Sequence, residues 1–168
     1  DLFSQMRTVI LTSATLAIGS KFDHLIDRIG LRKIEHPRLK VFKIGSPFNY
    51  KDQALVCVPS SFPSPKADIF QAAISELIQG LVVAARRSTL VLFTSYSMLD
   101  RTFTDLEIPL NHLGIPVMAQ GISGPRSHLL ERFRSSPGSV LLGTDSFWEG
   151  VDVPGEALEM VVMVKLPF

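Results

Sequence analysis

The stretch Leu141-Leu-Gly-Thr-Asp-Ser-Phe-Trp-Glu-Gly-Val-Asp-Val-Pro-Gly155 decides how this chain is read. An apolar run ends in Gly143, small and hydroxyl-bearing residues follow, then two carboxylates, then a turn punctuated by Gly150, Pro154 and Gly155. An apolar strand that opens into such a loop is the form taken at the carboxyl edge of a parallel sheet, where ligands bind. Gly143 and Gly150 permit close backbone approach to a ligand, because neither carries a Cβ. Thr144 and Ser146 can donate to phosphate oxygens without bulk, and Asp152 can accept from a sugar hydroxyl. Glu149 can hold a loop or a basic partner. Trp148, the one tryptophan, either packs the loop or stacks on a base.

Working outward, the periodicity predicts further strands at Thr8–Leu11, Val41–Ile44, Ala54–Val58, Thr89–Phe93, Ile115–Ala119, Val140–Gly143 and Met160–Val164. Helical spacing is read at Lys21–Ile29, Ala67–Arg86, Met98–Glu107 (disturbed near Pro109) and Arg126–Arg134, with Pro125 as the first helical position. Alternating strands and helices indicate an α/β domain with a mainly parallel sheet and helices on both faces. The carboxyl-edge rule then selects the loops Thr12–Leu16, Thr94–Ser97, Ala119–Arg126 and Thr144–Gly155. In the third, Gly121, Ser123 and Gly124 open onto a helix N-terminus beside Arg126, which suits an anion.

Length and composition narrow the class. The chain has 168 residues, 46% of them hydrophobic, which is about one domain and enough to bury a core without staples. Its 11 glycines and 11 prolines are ordinary usage, so collagen-like and low-complexity readings are excluded. A net charge of +1 demands no particular partner. Cys57 is the only cysteine, which excludes an internal disulfide or a metal centre built on this chain's thiols. No apolar run reaches the ~18 residues of a membrane span, and a cytoplasmic location is expected. Both ends fall beside apolar runs, so a longer polypeptide is expected. Between Arg28 and Lys43, six cations (Arg28, Arg32, Lys33, Arg38, Lys40, Lys43) meet only Glu35; this is either a phosphate-tracking patch or a solvated loop. His24, His36, His112 and His128 have no metal-like spacing. No GxxxxGK[ST] loop and no nucleophile–base pair is present.

Four stretches in order carry a resemblance. Thr12-Ser-Ala-Thr-Leu16 resembles motif III of superfamily 2 helicases, and Leu90-Val-Leu-Phe-Thr-Ser-Tyr96 resembles their motif IV. Gly143–Gly155 is similar to motif V, and Val164-Lys-Leu-Pro-Phe168 to the strand after it. The Phe-Trp-Glu-Gly-Val-Asp form of motif V points to the DinG branch of the DinG/XPD-like helicases. The resemblance implies a three-layer RecA-like (P-loop NTPase-type) fold. Residues 1–16 would supply the motif III strand and loop from the end of a first RecA-like domain, and 17–168 the second domain, stopping before motif VI. It implies a motor that moves along single-stranded DNA, with ATP and Mg2+ held between two domains. The nucleotide-binding loop lies upstream, as does an iron–sulfur cluster in some members, so this fragment alone is expected to be inactive. Ser13, Thr15, Glu149, Gly150 and Asp152 would then serve ATP binding or coupling. Ser95, Arg126, Thr144 and Ser146 would serve DNA binding. The partners implied are single-stranded DNA and the missing first domain, with no membrane. The competing expectations are a non-motor nucleic-acid-binding module and part of a helicase-like nuclease.

Overall fold

The computed structural model describes residues 5–34 and 38–167; Glu35, His36 and Phe168 lie outside them. The chain divides into two compact units, residues 1–57 and 58–168. Among the described residues no helix is long and apolar enough to cross a membrane.

In the first unit, helix α1 spans Asp23–Arg28, a 3-10 turn spans Leu31–Lys33, and the short α2 spans Tyr50–Gln53. The predicted strands at 8–11, 41–44 and 54–58 do not form, and their side chains are exposed, Ile44 to 92%. An apolar run becomes a strand only where a neighbouring ladder satisfies its peptide groups. The one bridge described in this unit joins Ile18 and Lys21.

The second unit carries helices α3 (Phe70–Ala85), α4 (Tyr96–His112) and α5 (Arg126–Ser135). Its strands are β1 (Thr89–Leu92), β2 (Val117–Ala119), β3 (Val140–Gly143) and β4 (Met160–Met163). The sheet is parallel throughout, in the order β2-β3-β1-β4. Thr89 pairs with Val140 and with Met160, and Val117 with Val140, so the strands end almost level. Alternation along each strand divides the core in two. Val91, Phe93, Val117, Ala119, Val140 and Leu142 pack under α3 and α4. Leu90, Leu92, Met118 and Leu141 pack against α5 and Phe147. This is the expected α/β layering, with helices on both faces.

Two boundaries depart from expectation. Helix α4 runs through Pro109 to His112. Proline removes one helical N–H, but Leu99, Phe103, Leu106 and Leu110 keep one buried stripe across it. Pro125 is the cap before α5 rather than its first residue: its backbone is extended, with φ −68° and ψ 152°, and the helix itself starts at Arg126.

A partly buried set of polar side chains joins α3 to α4. The Gln71 amide donates to the Thr102 hydroxyl at 3.0 Å, and the Ser75 hydroxyl donates to an Asp105 carboxylate oxygen at 2.6 Å. Leu106 is fully buried between α4 and the sheet. Leu106→Ala is expected to cost about 2–5 kcal/mol, read as a lower midpoint in urea denaturation.

Candidate functional site

The ladders run one residue past β1 and β2. The Phe93 N–H donates to the Gly143 carbonyl at 2.8 Å, and the Gln120 N–H to the Leu142 carbonyl at 3.0 Å. Beyond Gly143 the next donor is the peptide N–H of Thr144. It donates to the Gln120 side-chain oxygen Oε1 at 2.8 Å. The Thr144 hydroxyl, buried, lies 3.4 Å from the same oxygen. On the other side of the amide, Gln120 Nε2 donates to the Tyr96 hydroxyl at 3.0 Å and to Ser146 Oγ at 3.3 Å. One side chain therefore ties together the loops that follow β1, β2 and β3.

The loop after β3 is folded onto its own strand. A 3-10 turn spans Asp145–Phe147, and Phe147 lies directly over Gly143. A Cβ on Gly143 would stand 2.6 Å from Phe147 Cβ and Cγ. The space expected there for a ligand is filled by the chain's own phenyl ring. The Trp148 indole N–H donates to the Phe93 carbonyl at 2.9 Å, so the structure uses this tryptophan for packing. Arg126, at the start of α5, has its guanidinium carbon 5.4 Å from the centre of the Phe147 ring. Its Nη2 donates to the carbonyls of Glu149 and Gly150 at 3.3 and 3.0 Å. Gly150 turns the chain there with φ +65°, a conformation open to glycine at little cost. Arg134 donates to the Asp152 carbonyl.

Of the residues expected from sequence, Thr144, Ser146, Glu149, Gly150 and Arg126 gather around this loop. Ser95 caps α4, its hydroxyl accepting from the Met98 N–H at 3.5 Å, and is exposed. The side chains of Glu149 and Asp152 are exposed. A cleft of about 610 Å³ is lined by Thr94, Asp145, Trp148, Glu149, Lys165 and Leu166. Ser13 and Thr15 belong to the first unit, where their hydroxyls lie 3.1 Å apart and the Thr15 N–H donates to Ser13 Oγ. In the basic stretch, Arg32 pairs with Asp27 and holds that carboxyl below its ordinary range, through the hydrogen bond first and charge second. Cys57 is exposed. Among the described residues no group of three metal-ligating side chains could hold a metal ion.

Sequence reasoning missed Gln120, Tyr96 and Phe147. Gln120 had one signal, as the first polar residue after an apolar strand on the ligand-binding edge.

The helicase C-terminal domain family matches residues 78–168. The protein named 3'-5' exonuclease DinG of Bacillus subtilis is 36% identical over 172 residues, covering 100% of this chain and 18% of that protein. The ATP-dependent DNA helicase YoaA of Haemophilus influenzae is 40% identical over 159 residues, covering 95% of this chain and 23% of the relative. The ATP-dependent helicase DinG of Mycobacterium tuberculosis is 36% identical over 163 residues, covering 96% and 24%. The chain thus spans about a fifth to a quarter of the length of these curated relatives.

Gly143→Ala forces Phe147 off the strand. It is expected to destabilise the domain by about 1–3 kcal/mol and to shift Trp148 fluorescence toward that of a solvated indole. Unchanged emission and midpoint would contradict this packing.

Proposed function

The chain belongs to the helicase C-terminal domain family, and from that premise we propose that it is the second motor domain of a DinG-type ATP-dependent DNA helicase. It grips single-stranded DNA at the carboxyl edge of its sheet and closes on ATP held by a first RecA-like domain. The observation that carries this reading is the joining of three strand-end loops through Gln120. Ser95 and Ser146 expose hydroxyls to the strand, while Thr144 and Arg126 brace the turn that presents them. A groove that tracks a single strand needs donors to phosphate and no base readout.

Glu149, Gly150 and Asp152 form the nucleotide side, with Asp152 toward the ribose. Ser13 and Thr15 couple the two domains. Phosphoryl transfer needs positioning and charge stabilisation around the nucleotide. Mg2+, held with ATP by the first domain, would supply charge stabilisation to the phosphates. Because one loop carries both sets of residues, closure on ATP alters the DNA grip, with ATP favouring the closed state by its differential affinity. The Bacillus relative's name supports a second reading, a helicase-like nuclease.

ATP hydrolysis by the full-length protein is the test, with and without single-stranded DNA. Stimulation by DNA, and none in the 168-residue chain alone, is expected. Asp152→Ala in the full-length protein should lower stimulated turnover about tenfold, as for one lost hydrogen bond to a charged group. Absence of hydrolysis with degradation of the strand would select the nuclease.

A further inference from the structure

The orientation of the Gln120 amide determines what its neighbours can donate. A peptide N–H can only donate, so the atom 2.8 Å from Thr144 N is the amide oxygen. The opposite atom is then the NH2 group, whose two hydrogens go to Tyr96 Oη and Ser146 Oγ. Both hydroxyls accept from Gln120, so the hydrogen of each must point elsewhere. Tyr96 is 48% exposed, and Ser146 is exposed. Neither hydroxyl has another hydrogen-bond partner among the described residues. The Thr144 hydroxyl, by contrast, is buried against the amide oxygen.

Resting on the reading that this edge grips single-stranded DNA, we propose that Tyr96 and Ser146 form a paired hydroxyl donor site for a backbone phosphate, with Gln120 as the positioning residue that keeps both hydrogens turned outward. Neutral donors add affinity without displacing counterions. Their loss therefore weakens binding without changing its dependence on salt, unlike the loss of a cation.

The test is single-stranded DNA binding by the full-length protein across a salt series, with ATP KM measured alongside. Tyr96→Phe combined with Ser146→Ala should weaken DNA binding about tenfold, with the salt slope and Trp148 emission unchanged. Gln120→Met should weaken binding to a similar extent, and adding the two hydroxyl substitutions to it should cause little further loss. Unchanged affinity in the Tyr96→Phe, Ser146→Ala protein would overturn the proposal. A raised KM for ATP at unchanged DNA affinity would also overturn it, by assigning the hydroxyls to a nucleotide phosphate. If Gln120→Met lowers stability alone, with DNA affinity intact, its role is structural and the positioning claim fails. Failure of the wild-type protein to bind DNA would overturn the underlying reading as well, which separates the two failures.

Discussion

The peptide N–H of Thr144 is the first donor that the sheet leaves without a ladder partner. A buried peptide donor must be satisfied, and the side-chain amide oxygen of Gln120, Oε1, does so at 2.8 Å. That single bond fixes the direction of the amide, and with it the loops after β1, β2 and β3. The parallel order β2-β3-β1-β4 makes this possible, because it brings the three strand ends to one edge with β3 between the other two loops.

The turn beyond Thr144 is held by side chains as well as by the backbone bonds of its own 3-10 turn, Phe147 N–H to the Thr144 carbonyl and Trp148 N–H to the Asp145 carbonyl. Phe147 occupies the space that Gly143 leaves, Trp148 hangs from the end of β1, and Arg126 reaches from α5 to two carbonyls of the turn. The side chains of Glu149 and Asp152 remain exposed. A braced backbone with free side chains is suited to presenting groups to a ligand without reorganisation.

Much of the second unit was legible because burial on both faces writes parallel strands as apolar runs. Val140–Gly143 was read with its observed bounds, and α3 and β1 within a few residues. The same signal misled at 8–11, 41–44 and 54–58, where apolar composition is present but no ladder forms among the described residues. In the site, the hydroxyl and acidic residues after β3 were legible from their types. What they do to one another was not. Gly143 read as room for a ligand until Phe147 was seen to fill it. Gln120 acts on residues 24 and 26 positions away, a relation that no local pattern records.

The most direct measurement is a structure of the full-length protein bound to single-stranded DNA and a non-hydrolysable ATP analogue. The account predicts the strand crossing the carboxyl edge of β1, β2 and β3, with a phosphate oxygen about 2.5–3.0 Å from the Tyr96 and Ser146 hydroxyls. A strand bound elsewhere, with this edge facing solvent, would contradict it.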